Sequence, residues 1–270
     1  MYSIKDALVE ATKRIKEISD IPNKEARILL ASFLRKDQLW IITHDEEIIE
    51  EEGYFKLIDR RVKNEPIEYI TNSASFYGRD FYVDKNVLIP RPETEILVDL
   101  VVSTCKGIKR PRIVEIGTGS GIISIMLAHL LPNAQITAID ICEEALHVAK
   151  QNAKKHDVDI EFVHSDLCEN FHEKNFDMLV SNPPYIANNE PLHVGLSYEP
   201  NLALYGGNVG DEILRRIIDI YNEKNVKYLA CEMGYDQKDK ITNYLEDTNL
   251  KVDFYKDLAR IDRGFIIGRS

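Results

Sequence analysis

Ser181-Asn182-Pro183-Pro184-Tyr185 follows the apolar run Phe176 to Val180 and places a carboxamide, two prolines and an aromatic ring at the carboxyl end of an expected strand. That combination suits the capture of a planar nitrogen. The side-chain oxygen of Asn182 and the carbonyl of Pro183, a residue with no N–H of its own, can both accept hydrogen bonds from an –NH2 group. Tyr185 can stack on the planar group. A carboxamide nitrogen is a poor nucleophile because its lone pair is delocalised, so a catalyst acting on it must align the nitrogen and stabilise the charge that arrives there. The chemistry indicated is methyl transfer, with a glutamine side chain or an exocyclic adenine amine as acceptor. No strong general base is required, since a protonated N-methyl amide loses its proton readily to water.

A second set of residues could hold the methyl donor. Glu115-Ile116-Gly117-Thr118-Gly119-Ser120-Gly121 leaves the apolar run Arg112 to Ile116 and enters a helical stretch, and the glycines permit a sharp turn with bare backbone against a ligand. The spacing is GxGxG, not the GxGxxG of dinucleotide sites, and the chain has no GxxxxGK[ST] phosphate loop. About twenty residues beyond the loop, Asp140 closes the next strand, where an acidic side chain can accept both hydroxyls of a ribose. Asp166, at the end of the strand after that, could hold an adenine amino group. A nucleoside without phosphate and with a cationic centre is S-adenosylmethionine, and Glu115 and Asp140 give its cation an acidic lining. Taken singly, each feature has a plainer reading: a structural turn at the glycines, a cap at Asp166, a rigid loop at Asn-Pro-Pro. Their placement at successive strand ends is what favours a site, because open α/β sheets hold ligands there.

The elements that must position these residues follow from the hydrophobic pattern. Ser3 caps a helix with Ile4, Leu8, Ala11, Ile15 and Ile18 on one face, ended by Pro22. A second helix covers Lys24 to Arg35 and a third about Glu46 to Lys63, stopped by Pro66. A β-hairpin is expected from Phe81-Tyr82-Val83 and Val87-Leu88-Ile89, and a helix from Pro92 through Val102. Strand and helix then alternate: Arg112 to Ile116, Gly121 to Leu131, Gln135 to Ile139, Cys142 to His156, Ile160 to Val163, Phe176 to Val180, Gly210 to Asn222, Tyr228 to Glu232 and Gln237 to Glu246. This rhythm predicts a parallel sheet covered on both faces, closed by an antiparallel pair, Val252 to Tyr255 with Gly264 to Ile267.

With 270 residues, 44% hydrophobic and 29% charged, the chain has room for one large domain and a small companion. The 34 basic and 45 acidic residues give a net charge of -11, which repels a duplex phosphate backbone at long range. Met1 to Asp20 lack the apolar core of a signal peptide, and no stretch reaches the roughly 18 apolar residues of a membrane span. A cytoplasmic protein is expected. Its four cysteines are scattered and read as free, mostly buried thiols, and the seven histidines show no metal-ligand spacing.

At this point the sequence resembles a known family. The glycine loop with NPPY looks like the class I S-adenosylmethionine-dependent amino-methyltransferases. Phe76-Tyr77-Gly78, Leu88-Ile89-Pro90-Arg91-Pro92-Glu93-Thr94-Glu95, Asn182-Pro183-Pro184-Tyr185-Ile186, Tyr198-Glu199-Pro200, Ala203-Leu204-Tyr205-Gly206-Gly207 and Gly210 are similar to the peptide chain release factor N5-glutamine methyltransferases, the PrmC/HemK family. The resemblance implies a Rossmann-like, mainly parallel seven-stranded sheet in residues 91–270, a helical substrate-docking domain in 1–72 and a β-hairpin linker in 73–90. It implies that Gly117, Thr118, Gly119, Ser120, Gly121, Asp140, Asp166, Leu167 and Asn182 contact S-adenosylmethionine, beside the acidic lining expected of Glu115, leaving S-adenosylhomocysteine after transfer. Asn182, Pro183, Pro184 and Tyr185 then hold the acceptor, the glutamine of the Gly-Gly-Gln loop of class I release factors. Leu167 stands where some members carry an aromatic, so apolar cover of the adenine replaces ring stacking. Arg91 is expected to pair with a carboxylate or with Glu199. The implied partner is a release factor, met by a monomer with no direct nucleic-acid binding, no membrane association and no metal. A ribosomal-protein glutamine and a nucleic-acid adenine remain the alternative acceptors.

Overall fold

The computed structural model describes residues 1–246, 248 and 250–269. It divides into two compact units: Met1–Ser73 with Leu192–Tyr198, and Ala74–Pro191 with Glu199–Ser270.

In the first unit, β1 (Tyr2–Ser3) leads into α1 (Ile4–Ile15), whose start is fixed by the Ser3 hydroxyl accepting from Asp6 N at 3.1 Å. Ile4, Ala7, Ala11 and Ile15, spaced three and four apart, are fully buried on its inner face. Pro22 opens α2 (Pro22–Leu34) where the sequence reading has it ending the previous segment; its preset φ and missing N–H suit a first helical position. A short helix not read from the sequence, α3 (Gln38–Thr43), comes next; the third helix expected from Glu46 to Lys63 is instead β2 (Ile48–Ile49) and α4 (Glu52–Val62), followed after Pro66 by α5 (Ile67–Thr71). The reason lies at the start of α1, whose first N–H groups have no helical partner. Ile4 N and Lys5 N donate to Glu47 O and Asp45 O at 2.8 and 2.9 Å, and β1 pairs with β2. His44 to Glu46 therefore form a turn and Ile48–Ile49 a short strand, and α4 starts only after them.

In the second unit, the hairpin is β3 (Ala74–Phe76) and β4 (Arg79–Phe81), earlier than expected. Tyr77 and Gly78 between them have φ of +52° and +66°, the pair of left-handed residues that a tight two-residue hairpin turn requires. Phe81-Tyr82-Val83 and Val87-Leu88-Ile89 do not form the hairpin expected of them. Asn152 takes the strand partner's place: its Oδ1 accepts from Tyr82 N at 2.8 Å, and its Nδ2 donates to Tyr82 O and Ser120 O, both at 2.9 Å. Residues 82–93 cross as irregular chain, held by buried Val83, Val87 and Ile89, into α6 (Thr94–Cys105).

The alternating part contains β5 (Arg112–Ile116), α7 (Ile122–Leu130), β6 (Gln135–Asp140), α8 (Glu143–Lys155), β7 (Glu161–His164) and β8 (Met178–Ser181). After it come β9 (Ile186–Ala187), α9 (Asn201–Leu204), β10 (Tyr205–Gly207), α10 (Glu212–Glu223), β11 (Tyr228–Glu232), α11 (Lys238–Leu245), β12 (Lys251–Lys256) and β13 (Asp262–Gly268). Seven strands form one sheet in the order β12-β13-β11-β8-β5-β6-β7, parallel from β11 to β7, with β13 antiparallel to both its neighbours. This is the Rossmann-like mainly parallel sheet expected. Its core strands alternate sides: Ile113, Met178, Val180 and Ala230 join the cluster that includes α6 and α7, while Val114, Leu179, Leu229 and Cys231 join the cluster with α10 and α11. No described helix is long and apolar enough to cross a membrane.

The strand order matters for function. From β5 the chain moves outward through β6 and β7, then returns to lay β8 on the other side of β5. The connections leave β5 and β8 in opposite directions, so a crevice opens at their carboxyl ends. Register places Ile116 opposite Ser181. The residues that follow, Gly117 and Asn182, therefore enter that crevice from neighbouring strands.

Candidate active site

One cavity occupies the crevice, and Glu115, Gly117, Thr118, Gly119, Ser120, Asp140, Asp166, Leu167, Asn182, Pro183 and Pro184 all line it. The glycine loop is shaped for a ligand against its backbone. Gly117 and Gly119 have φ of +73° and +54°, and a Cβ built on either meets nothing within 4 Å. Gly121 differs: it does not line the cavity, and its Cβ would come 3.1 Å from Ala149 Cβ on α8. Its work is the close approach of two helices.

Glu115 is fully buried at the end of β5. Its Oε2 accepts from Thr118 Oγ1 at 2.8 Å, from Ser124 N at 3.1 Å and from Ser124 Oγ, while Oε1 has no partner among the described residues. An unsatisfied carboxylate oxygen in a buried wall is costly unless a ligand cation or donor meets it. Burial pushes the carboxyl up to about 7, against the lowering effect of the Ser124 and Thr118 bonds. Asp140 is also shifted up by burial, offset by backbone donors: Cys142 N reaches Oδ1 at 2.9 Å and Gly119 N reaches Oδ2 at 2.8 Å. Both oxygens keep a lone pair for a further donor. Asp166 is partly exposed and lies 3.5 Å from Arg216. Leu167 beside it has φ of +47°, a strained conformation for a non-glycine residue, and lines the cavity. Three carboxylates around an otherwise largely apolar cavity, with Ile122, Ile139, Ala145, Ile213 and Ile217 in its walls, suit a nucleoside carrying positive charge.

The NPPY loop is held mostly through its backbone. Gln237, 1% exposed, donates from Nε2 to Tyr185 O at 3.1 Å and to Gly210 O at 2.9 Å, and its Oε1 accepts from Gly234 N. From the other side, Gly206 packs so closely that a Cβ would stand 2.4 Å from Pro184 O. Tyr185 does not line the cavity; its ring edge is near Gly234, and burial pushes its phenol up to about 12, with the nearby Glu232 adding to the shift. Asn182 Nδ2 donates to Thr94 Oγ1 at 3.3 Å. Arg91 lines the cavity and pairs with Glu199, which is 5% exposed and also accepts from Ile89 N at 3.0 Å. Glu93 is not among the lining residues.

Sequence reasoning missed Thr94, Glu232 and Gln237. They lie 88, 138 and 52 positions from the partners they hold, and no local pattern signals such a bond. Cys105, Cys168 and Cys231 are buried and Cys142 partly exposed, all free. Among the described residues, no group of His, Cys, Asp or Glu could hold a metal ion.

Comparison with known proteins adds to this geometry. Residues 6–71 match the PrmC N-terminal domain and residues 92–196 match the methyltransferase small domain. Among solved structures, a methyltransferase from Pyrococcus furiosus is 17% identical with a TM-score of 0.53, covering 82% of this chain and 98% of that one. The hMettl16 catalytic domain is 16% identical with a TM-score of 0.58, covering 79% of this chain and 91% of its own. These likenesses establish the fold. The bifunctional methyltransferase of Rickettsia bellii is 36% identical across 97% of this chain, which spans only 54% of that protein's length. The release factor glutamine methyltransferase of Clostridium acetobutylicum is 37% identical over 96% of both chains, and that of Clostridium botulinum is 38% identical over 96% of this chain and 97% of its own. With identity at that level along nearly its whole length, and with both of its units matched, the chain belongs to the release factor glutamine methyltransferase family.

Proposed function

We propose that this chain transfers a methyl group from S-adenosylmethionine to the side-chain nitrogen, N5, of the glutamine in the Gly-Gly-Gln loop of class I release factors. The observation that carries this reading is the meeting, in one cavity, of an acidic nucleoside-type wall on β5 and β6 with the carboxamide and proline carbonyl after β8. When bound, the cofactor supplies a methyl group on a cationic sulfur that leaves with the bonding electron pair. Glu115 Oε1 accepts from its ammonium group, Asp140 from the ribose hydroxyls and Asp166 from the adenine amine. Leu167 covers the base, and the backbone of Gly117 and Gly119 lets the ligand lie close. On the acceptor side, Asn182 Oδ1 and Pro183 O accept the two amide hydrogens, which turns the nitrogen lone pair out of conjugation, and Tyr185 packs against the planar group. The surplus proton on the methylated nitrogen passes to water.

The helical unit, with Leu39 and Ile42 exposed one turn apart on α3, serves in this reading as the docking platform for the release factor. A translation factor as substrate places the work in the cytoplasm. The charge of -11 disfavours the adenine alternative, because duplex recognition draws most of its affinity from cationic contacts to phosphate.

Incubation with labelled cofactor is expected to mark a class I release factor at that glutamine, located by mass spectrometry, and to leave unmarked a release factor in which it is replaced. Label on duplex DNA, or on a ribosomal-protein glutamine in preference, would overturn the assignment. Asp140→Ala is expected to weaken cofactor binding about 10- to 100-fold by calorimetry, the value of hydrogen bonds to a charged group. Wild-type affinity would mean that the ribose lies elsewhere.

A further inference from the structure

A carboxamide can present either its oxygen or its –NH2 edge, and only the oxygen edge of Asn182 can accept from a substrate amide. Something must fix that choice. Glu232 ends β11, one residue beyond Cys231, which pairs in register with Ser181 on β8. Glu232 and Asn182 thus leave adjacent parallel strands together, and Thr94, the first residue of α6, joins them. Asn182 Nδ2 donates to Thr94 Oγ1 at 3.3 Å, and Thr94 Oγ1 donates to Glu232 Oε2 at 2.8 Å. Thr94 is 1% exposed and Glu232 2% exposed.

The hydroxyl has a single proton. With that proton given to Glu232, Thr94 offers Asn182 only lone pairs, which the –NH2 edge alone can satisfy. The carboxamide oxygen is left on the opposite edge. We infer that Thr94 and Glu232 are positioning residues that decide which edge of Asn182 meets the acceptor nitrogen. This inference rests on the proposed methyl transfer and adds to it the source of Asn182's orientation.

The arrangement makes the orientation depend on the ionisation of Glu232. A protonated carboxyl can itself donate to Thr94, which frees the hydroxyl to turn and donate to Asn182 Oδ1, occupying the oxygen the substrate needs. The charged and titratable groups around Glu232 are Arg263 on β13, Tyr255 on β12, Tyr185 in the loop, and Arg91 and Glu93 before α6. Burial outweighs Thr94 and the arginines and lifts the carboxyl to about 7. Turnover should therefore fall as pH drops through that region.

Thr94→Val keeps the shape and removes the hydroxyl; Thr94→Ser keeps the hydroxyl. The expected result for Thr94→Val is a loss of about 10²-fold in kcat, with cofactor affinity and KM for the release factor within a few-fold of wild type and the acidic limb of the pH profile gone. Thr94→Ser should recover most of the rate, and Glu232→Gln should lose the acidic limb while remaining folded by circular dichroism. Wild-type kcat with an unchanged pH profile in Thr94→Val overturns the inference. Hydrogen exchange of the Asn182 side-chain amide, followed by NMR without substrate, decides the relay separately. One proton should be protected in wild type and Thr94→Ser and both should exchange freely in Thr94→Val. Equal exchange in wild type and Thr94→Val sinks the relay, whereas protected exchange in a wild type that methylates no release factor sinks only the substrate assignment.

Discussion

Asn182→Ala is expected to lower turnover on a release factor about 10³-fold while cofactor affinity, measured by calorimetry, stays within a few-fold of wild type. The magnitude is that of removing one preorganised hydrogen-bonding group aimed at developing charge. The separation of the two effects follows from the geometry. Glu115, Asp140 and the glycine loop sit on β5 and β6 and are held by their own bonds, with Thr118, Ser124, Cys142 and Gly119 as partners. None of those bonds includes Asn182, whose side chain is tied to Thr94. Alanine leaves the donor wall intact and removes the acceptor for the substrate amide. Unchanged turnover would defeat the role assigned to the carboxamide. Equal loss of cofactor binding would move Asn182 to the donor side.

Glu115→Gln is expected to trade stability against cofactor affinity, with a pH dependence of definite sign. Burial raises this carboxyl from its ordinary 4.5 to about 7. Between those values the unfolded chain has released the proton and the folded chain still holds it, so stability falls as pH rises through the window and the contribution is lost above about 7. Glutamine cannot ionise, and its oxygen can take the bonds from Thr118 and Ser124. At pH 8 the variant should therefore be more stable to urea by up to about 3 kcal/mol, the free-energy equivalent of the shift, and near pH 4.5 the two proteins should match. The cost appears in binding. The –NH2 group would occupy the place of the unpaired Oε1, facing the ligand's ammonium with a donor, and affinity should fall at least about 10-fold. A variant as unstable as wild type at pH 8, or one binding the cofactor with full affinity, would show that Glu115 is not the strained, ligand-facing group described.

Much of this site was legible from sequence because its main parts come directly after apolar strands. GTGSG, Asp140 and NPPY each carry a local composition unlike their surroundings, and the alternation of strand with helix placed them on one edge of the sheet. What stayed hidden depends on distance. Thr94 reads as an ordinary first-turn residue and Glu232 as the polar end of a strand, and only the return of β8 to the inner side of β5 brings β11, α6 and Asn182 together. The misplaced hairpin has a similar origin. Phe81-Tyr82-Val83 has the composition of a strand, but the Asn152 side chain satisfies the Tyr82 backbone and no second strand is needed. In the helical unit, the stretch from Glu46 reads as helical in isolation, and its turn and short strand are imposed by the unpaired amides at the start of α1, which donate to Glu47 O and Asp45 O. The resemblance places Gly121 with the cofactor-contacting glycines; in the structure its missing Cβ makes room for Ala149.

Gln237 fastens the NPPY loop by the carbonyl oxygen of Tyr185, and Gly206 abuts the backbone of Pro184. Neither contact involves the side chains of Pro184 or Tyr185. These two contacts therefore hold the main chain whatever ring position 185 carries. A scaffold of that kind is open to redesign: side chains that face the cavity after β8 could be exchanged while the methyl-donor wall and the anchoring glutamine stay untouched.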